Sequence, residues 1–350
     1  MAAILLLLSL LTFTVHVLSD LPATTPRTSF YLSPNTLFSN YDKMLHSFKI
    51  FVYEPPSPFT GANVFTTTPE SQFYTSLLRS PFVTDDPSQA HLFFIPFPSS
   101  LSTRNLARLV RNIRITFPFW NRTLGADHFY LSAAGVDSSS DRNVVELKKN
   151  SIQISCFPTS SGLFIPHKDI TLPPIHPFQT MPSVNSTPAF LGYMKLSKQS
   201  PFSLIEEIKD DPQFKVEYAP GNRRGEFMKN SRFCLFMYGD DMTWMVEAMG
   251  AGCVPVVVTD RPIQDLPLMD VMKWSEIAVF VGSSGGAKAL RGVLDGIEKS
   301  RYDEMMESGV VATQHLVWNT EPQTHDAFHM ILYQLWLRRH TIRYARWAEQ

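Results

Sequence analysis

The sequence predicts an α/β protein with two parallel sheets and a cleft between them. Apolar, strand-like runs alternate with segments of helical spacing, first over residues 49–117 and again over residues 189–297. Strands that alternate with helices in this way form parallel sheets, because each crossover between parallel strands needs a long connection. Such sheets bind ligands at the carboxyl ends of their strands. Two blocks of similar size therefore predict a ligand site in the crevice between them.

The elements of the first block rest on local signals. The predicted strands are short apolar runs bounded by proline or polar residues, and the predicted helices place apolar side chains three or four positions apart. These signals give strands at residues 49–56 and 91–97, helices that begin near residues 69 and 101, an edge strand at residues 151–154 and an irregular, proline-rich connection at residues 164–178.

The second block repeats the alternation more regularly. Its apolar runs are rich in β-branched and aromatic residues, and turn residues separate them from the helical segments. We expect strands at residues 189–193, 214–218, 233–238, 254–259 and 278–281, and helices at residues 203–208, 226–230, 243–251 and 287–297.

Composition narrows the class of protein. The chain has 350 residues, of which 44% are hydrophobic and 18% charged, and its net charge is -1. This balance excludes a disordered chain and a multi-pass membrane protein, and it gives no electrostatic reason to bind nucleic acid. The three cysteines, Cys156, Cys234 and Cys253, are too few for a disulfide framework and allow at most one bridge. We interpret all three as small buried residues.

The amino-terminal segment points to the secretory pathway. Residues 2–19 form an uncharged apolar run whose length fits a cleaved signal peptide or a signal anchor. Asn121 and Asn185 each begin an N-glycosylation sequon, which is used only in that pathway. Both features predict that the rest of the chain is lumenal or secreted.

Residues 231–260 carry the most informative pattern, which runs strand, glycine turn, helix, glycine, strand. A turn and helix start of this kind offer backbone N–H groups to an anion, so a diphosphate would lie near Gly239. The carboxylate of Glu247 could accept hydrogen bonds from two ribose hydroxyls. The alternative is that Glu247 is an ordinary solvated helix residue. The chain lacks hydrolase elbows, zinc helices and Asp-x-Asp pairs, so we expect no bound metal or other cofactor.

Ordered motifs along residues 49–344 resemble one family. The motifs are KIFVYE, SPFVTDDPSQAHLFFIPF, GADHFY, KNSIQISC, FIPHKDITLPP, SRFCL…VEAMGAGCVPVVV and QHLVWNTEPQTHDAFHMILYQLWLRR. Together they are similar to the exostosin-like glycosyltransferases of family forty-seven, in particular the plant cell-wall type. The resemblance implies a Golgi enzyme that transfers a sugar, with inversion, from a nucleotide sugar to a cell-wall polysaccharide or a glycoprotein glycan.

The resemblance also implies a GT-B-like fold, in which two Rossmann-like domains face a cleft. We expect a signal peptide or anchor at residues 1–19, a lumenal stem at 20–47, an acceptor-side domain at 48–180, a donor-binding domain at 181–334 and a terminal helix at 335–350 that packs back on the first domain. The implied partners are a nucleotide-sugar donor, a glycan acceptor and other glycosyltransferases in a hetero-oligomer.

Site residues follow by position. Gly239, Asp240 and Glu247 would bind the donor, and Lys195 and Lys198 are the cations placed to contact its phosphates. The catalytic base is not identified, and its candidates are Asp127, His128 and Asp137.

Three departures from the family pattern open an alternative. Trp244 stands where the family's helix carries an arginine, only lysines follow residues 189–193, and Ala134 and Gly135 replace a His-Asp pair. Lysine lacks the planar fork with which arginine grips a diphosphate. The alternative is therefore a catalytically weak or inactive partner of an active transferase. A secreted glycan-binding module is a third interpretation.

Overall fold

The computed structural model describes residues 30–59, 64–159, 162–175, 188–197, 203–219 and 223–339. The predicted leader at residues 1–19, the sequon at Asn185 and the side chain of Lys198 lie outside these residues, as does the predicted terminal helix beyond residue 339. No helix in the described part of the chain is both long and apolar enough to cross a bilayer.

The first lobe is a five-stranded parallel sheet with its helices. The strands run in the order β1-β2-β3-β4-β5, and each neighbouring pair is parallel. They are β1 (Ile50–Val52), β2 (Leu92–Phe94), β3 (His128–Leu131), β4 (Ile152–Cys156) and β5 (Ile170–Leu172). The helices are α1 (Pro34–Ser47), α2 (Thr68–Arg79), α3 (Thr103–Thr116), α4 (Phe119–Thr123) and α5 (Arg142–Asn150).

One strand prediction in this lobe is wrong. The segment at residues 151–154 was expected at the sheet edge, but β4 lies between β3 and β5. The edge position belongs to β5, inside the proline-rich segment that was expected to be irregular. Only three buried residues form β5, and that length is too short to show a period in the sequence.

The second lobe is also a five-stranded parallel sheet, with the order β7-β6-β8-β9-β10. Its strands are β6 (Phe190–Leu196), β7 (Phe214–Tyr218), β8 (Ser231–Met237), β9 (Val254–Val258) and β10 (Val279–Val281). Its helices are α6 (Ser203–Ile208), α7 (Arg224–Lys229), α8 (Met245–Gly250), α9 (Gly286–Asp295) and α10 (Lys299–Thr313), and α11 (Ala327–Arg338) ends the described chain. The strand order reverses between β6 and β8, which makes this the topological switch point of the sheet.

The amino-terminal segment is more ordered than the predicted stem. Within residues 20–47, helix α1 occupies Pro34–Ser47 and buries Leu37, Tyr41 and Met44. These three side chains lie four and three positions apart, so they form one apolar stripe on an otherwise polar helix. The proline at the helix start favours this boundary because its missing N–H is not needed there.

The two lobes share one apolar core. The largest cluster of buried side chains includes Phe48 and Phe129 of the first lobe, Tyr193 and Trp244 of the second, and Phe328 of α11. Two further clusters each cover the remaining face of one sheet. Because a single buried surface runs through both lobes, neither lobe can bury its inner face without the other.

Helix α11 joins the lobes at the end of the described chain. It begins at Ala327, eight residues before the start predicted for the terminal helix, and packs against β5 and α1 of the first lobe. At its last turn, Arg338 donates from Nη2 to the carbonyl of Asp169 at 3.0 Å and pairs with Asp270 of the second lobe at 2.7 Å. One guanidinium therefore contacts both lobes.

A buried disulfide links two central strands of the second sheet. Cys234 of β8 and Cys253, directly before β9, are bonded with Cα atoms 5.6 Å apart, and both are fully buried. This pair is buried as expected and forms the one bridge that the cysteine count allows, so the two residues are not simply small buried side chains, while Cys156 is free and only partly buried. Adjacent parallel strands bring the two Cα atoms within disulfide range, which spacing in the sequence alone does not reveal.

The residues before α1 attach to the segment that follows α10. The hydroxyl of Tyr31 lies 2.6 Å from Nε2 of His315, and Nδ1 of His315 lies 2.8 Å from the carbonyl oxygen of His325. A carbonyl only accepts, so Nδ1 carries the proton and Nε2 accepts from Tyr31. Burial lowers the pKa of His315 to about 4, because the imidazolium would lose its hydration. A proton on Nε2 would also prevent this atom from accepting the bond from Tyr31.

Removing the disulfide should destabilise the fold. Cys234→Ala together with Cys253→Ala opens a loop with a sequence separation of 19, and the chain-entropy model then gives a loss of about 3 kcal/mol in the free energy of unfolding. Urea unfolding measures it. The control is Cys156→Ala, which leaves the bridge intact. Dithiothreitol should destabilise the parent and the control but not the double variant, and equal sensitivity of all three would contradict the assignment.

Acid should weaken the attachment made by His315. The imidazole is neutral in the folded chain and has its ordinary pKa of 6.5 when unfolded. The unfolded chain therefore binds the extra proton first, so stability is full above pH 6.5 and is lost as the pH falls toward 4. This single group accounts for up to about 3 kcal/mol. In His315→Gln the free energy of unfolding should vary less over that range. The exposed His46 supplies the control, His46→Gln, which should keep the parent's pH dependence.

Candidate functional site

The carboxyl ends of the strands in the two lobes face one another. Thr159 follows β4 in the first lobe, and Tyr238 follows β8 in the second. Both bond to the carboxylate of Asp265, in the loop after β9: the backbone N and Oγ1 of Thr159 donate to Oδ2 at 2.9 and 2.8 Å, and the Tyr238 hydroxyl donates to Oδ1 at 2.6 Å. The predicted α/β architecture, with two parallel sheets facing a cleft, is confirmed.

An open glycine turn lies at the switch point of the second sheet. Gly239 follows Tyr238 with a φ of +98°, and no heavy atom beyond its two chain neighbours lies within 4 Å of the place where a Cβ would stand. Asp240 accepts hydrogen bonds from the backbone N of Ser197, at 3.3 Å, and from the Ser197 hydroxyl. Because Ser197 directly follows β6, Asp240 ties together the turns after β6 and β8. The turn is thus held in place by Asp240 and is open at Gly239.

Helix α8 starts later than the sequence predicts. It begins at Met245 rather than at Thr243. Oδ1 of Asp241 accepts from the backbone N of Thr243 at 3.1 Å and also from its hydroxyl, which fixes a polar turn ahead of the helix. The helix has only six residues. The predicted helix start is therefore two residues too early, and the binding of a diphosphate near Gly239 stays a prediction.

Glu247 forms an ion pair that the sequence analysis missed. Its Oε2 is buried and lies 2.8 Å from Nη2 of Arg224, while the Glu247 and Arg224 side chains as wholes are 17% and 25% exposed respectively. Arg224 begins α7, after β7, and Glu247 lies in the first turn of α8, after β8. Helices that follow parallel strands start at the carboxyl edge, so both charges stand beside the switch point. The interpretation of Glu247 as an ordinary solvated residue is wrong.

Polar neighbours surround this pair. From β6, the buried Tyr193 donates its hydroxyl to Oε2 of Glu217 on β7 at 2.7 Å. Burial raises the pKa of Tyr193, and the carboxylate of Glu217 raises it further, so the phenol stays protonated and holds Glu217 in place. The backbone N of Arg223 donates to the other oxygen of Glu217 at 3.3 Å. These bonds position the start of α7, and with it Arg224.

Trp244 does not enter the turn. Its side chain is fully buried, with ring centroids 4.1 Å from Phe236 and 5.6 Å from Tyr193. It contributes apolar packing beneath the sheet and no charge to the site. Position 244 therefore cannot bind an anion in this chain, and Arg224 is the cation that stands beside Glu247.

Two of the three predicted catalytic candidates lie far from this edge. Asp127 and His128 stand at the amino end of β3, whereas the cleft lies at the carboxyl ends. His128 is fully buried, with Nδ1 2.8 Å from Asp127 and Nε2 3.0 Å from the Tyr53 hydroxyl. Burial lowers the pKa of His128. Burial acts to raise the pKa of Asp127, but bonds from His128 and Thr123 and the charge of Arg122 lower it. The expectation of a catalytic base here does not fit the geometry.

The remaining predicted residues are accessible. Asp137 is exposed and follows β3 on the carboxyl side, so it remains a candidate base. Lys195 is partly exposed near the end of β6, where its strand neighbour on β7 is Glu217. Asn121 is exposed on α4, as glycosylation of its sequon requires.

A buried carboxylate in the first lobe was also missed. Glu70, in the first turn of α2, accepts from the backbone N of Ala133 at 2.6 Å and from the Thr67 hydroxyl at 2.5 Å. Burial raises its pKa. The Thr-x-x-Glu spacing marks a helix start in the sequence. Glu70 is fully buried, so it fastens the loop after β3 to α2 rather than meeting a substrate.

A groove lies beside the loop that carries Asp265. Its volume is about 870 Å³, and it lies at the carboxyl ends of β9 and β10. Arg261, Ile263 and the partly exposed Phe280 line it, and Asp260 fixes one wall by accepting from the backbone N of Ser283 at 2.7 Å. Among the described residues no group of three His, Cys, Asp or Glu side chains could hold a metal ion, and the expectation of a metal-free site remains a prediction.

Known proteins resemble this chain over most of its length. A model of the exostosin GT47 domain matches residues 44–284. A probable glycosyltransferase of Arabidopsis thaliana is 30% identical over 90% of this chain and 72% of its own length. The same plant's probable β-1,4-xylosyltransferase IRX10L is 26% identical over 81% of this chain and 80% of its own length. The solved structure of Acinetobacter baumannii MurG shares 12% identity over 77% of both chains, with a TM-score of 0.32. Because the domain model covers well over half of the sequence, the chain belongs to the exostosin GT47 family of glycosyltransferases.

Proposed function

We propose that this glycosyltransferase transfers a sugar, with inversion, from a nucleotide-sugar donor to a cell-wall polysaccharide or a glycoprotein glycan. The proposal rests on the Arg224–Glu247 ion pair, with an N–O distance of 2.8 Å, which lies beside an open glycine turn at the switch point of the second sheet. The names of relatives support the class of acceptor, since one of them is a probable β-1,4-xylosyltransferase. Uridine diphosphate is the natural first probe of the donor site.

The proposed donor site divides its tasks among three groups. The Glu247 carboxylate accepts hydrogen bonds from the ribose hydroxyls, because an ionised carboxylate is an acceptor only. The Arg224 guanidinium faces the phosphates, where its planar fork can donate two parallel bonds. The turn at Gly239 lets the phosphates approach the backbone without meeting a Cβ.

In the proposed reaction an acceptor hydroxyl attacks the anomeric carbon from the face opposite the diphosphate. The new bond joins the acceptor oxygen to that carbon, and the bond from the carbon to the phosphate oxygen breaks with its electron pair. The nucleoside diphosphate leaves, and the hydroxyl proton passes to a base. Arg224 would stabilise the charge that develops on the diphosphate, which is worth about 10² to 10³ in rate for one such donor. Asp137 is the exposed carboxylate available as the base.

The proposed compartment is the Golgi lumen. The buried Cys234–Cys253 bridge supports it, because disulfides persist in oxidising compartments and are rare in reducing ones. The apolar run at residues 2–19 and the exposed sequon at Asn121 support the same route.

A second function is favoured by one observation. Position 244 carries a buried indole in place of a cation, so the site has fewer positive groups than the family pattern implies. In the alternative, the chain binds an active transferase as a partner with weak activity or none. The full chain, purified from a secretory host and incubated with a panel of nucleotide sugars and glycan acceptors, distinguishes the two. Extended acceptor supports the enzyme. A folded chain that binds nucleotide but yields no product, and that co-purifies with a second transferase, supports the partner.

Glu247→Ala should weaken nucleotide binding. Losing the charged acceptor of two ribose hydroxyls raises the dissociation constant for uridine diphosphate about 10- to 100-fold. Calorimetry and the nucleotide-induced rise in melting temperature measure the change. The matched control is Glu226→Ala, because Glu226 is an exposed carboxylate on α7 that pairs with Arg223 and not with Arg224 in the described structure. Unchanged affinity in Glu247→Ala would remove Glu247 from the donor site.

Arg224→Ala should weaken binding of the diphosphate more than that of the nucleoside. The substitution removes the cation and leaves the charge of Glu247 beside an anionic ligand, so affinity for uridine diphosphate falls about tenfold or more. Affinity for uridine, which has no phosphate, should change little. The adjacent Arg223→Ala serves as the control. Equal losses for uridine and uridine diphosphate would show that Arg224 only supports the fold.

A further inference from the structure

We propose that Asp265 is a positioning residue that clasps the two lobes and holds the donor turn in its binding geometry. The inference rests on the proposed function, because the turn is taken to bind the donor. Asp265 lies in the loop after β9, and none of the site residues predicted from the sequence lies in that loop.

The clasp is a single carboxylate with partners in both lobes. Asp265 is 3% exposed. One oxygen accepts two bonds from Thr159 of the first lobe, and the other accepts the hydroxyl of Tyr238 in the second. A buried carboxylate is strongly destabilising unless its oxygens are hydrogen-bonded. Separating the lobes here would strip Asp265 of the Thr159 bonds, so the carboxylate favours one spacing between the lobes.

The clasp is directly connected to the donor turn. Tyr238 is the residue before Gly239, and its backbone N donates to the carbonyl of Val258 at 3.0 Å. The Arg261 guanidinium lies 5.3 Å from the Tyr238 ring centroid, on the side of the groove. Burial raises the pKa of Tyr238, and Asp265 raises it further, so the phenol keeps the proton that it donates. With its ring and its backbone both held, Tyr238 fixes where the glycine turn begins.

The clasp therefore couples the spacing of the lobes to the state of the turn. When the Thr159 bonds are present, Asp265 and Tyr238 are held, and the turn is already in place for the diphosphate. When they are lost, the turn samples other positions, and the apparent affinity falls by the fraction of molecules that remain competent. A residue of the acceptor lobe, with no contact to the donor, should thus alter donor binding.

The test is Thr159→Val, which removes the hydroxyl donor from the first lobe. We expect the dissociation constant for uridine diphosphate to rise about threefold to tenfold. Thr159→Ser keeps the hydroxyl and should restore the parent value. Tyr238→Phe should weaken binding similarly. The double variant should bind uridine diphosphate no less tightly than the more impaired of the two single variants, because both substitutions act through Asp265. The control is Thr313→Val, which removes a buried hydroxyl that bonds to Val310.

A second measurement separates the clasp from the donor site. Spin labels at Ile115 on α3 and Val293 on α9, both exposed, report the distance between the lobes in a Cys156→Ala background. Thr159→Val should broaden this distance distribution, and Thr159→Ser should not. Unchanged distances together with parent affinity in Thr159→Val would overturn the clasp. A parent that binds no nucleotide, while the distances respond as expected, would instead count against the proposed function and leave the clasp supported.

Discussion

The structure depends on a single apolar core that runs through both lobes. Each sheet has one face covered by its own helices, but the inner faces pack into a shared cluster with α1 and α11. The hydrophobic effect is proportional to the apolar area removed from water, so this cluster sets the relative placement of the sheets. Polar contacts then refine that placement, through Arg338 at one end and Asp265 at the other. A transferase depends on such a constraint, because its two substrates must be held within ångströms of each other to react.

In the candidate donor site, the cation beside the acidic residue does not come from position 244, where the family resemblance led us to expect an arginine. Residue 244 is a core tryptophan, and the cation beside Glu247 comes from α7. The two helices follow strands that are separated by β6, and so the parallel topology brings their first turns together at one edge. The relation between sequence motif and site is therefore indirect in this chain: the acidic residue keeps its expected place, while its partner lies 23 positions earlier.

Much of the second lobe could be predicted because its elements are long enough to show a period. The predicted bounds of α6 and β7 match the structure, and Glu247 was found from its glycine-turn motif. Three features could not be predicted, for different reasons. β5 has three residues and no period, and the stripe of Leu37, Tyr41 and Met44 was hidden in a polar segment. The contacts of Arg224 and Asp265 join residues that only the strand order brings together. Side-chain partners of this kind are a property of topology rather than of local pattern.

The bridge between Cys234 and Cys253 has a consequence for how this segment can vary. It encloses the glycine turn, the indole at 244 and the acidic residue at 247 in one covalent ring whose ends are anchored in neighbouring strands. The bridge fixes the distance between the two ends of this segment. Added or deleted residues therefore cannot be absorbed by shifting β8 against β9, and they must change the outline of the rim that faces the cleft. Changes in length between Cys234 and Cys253 would thus reshape the surface that faces the cleft, while β8 and β9 keep their register.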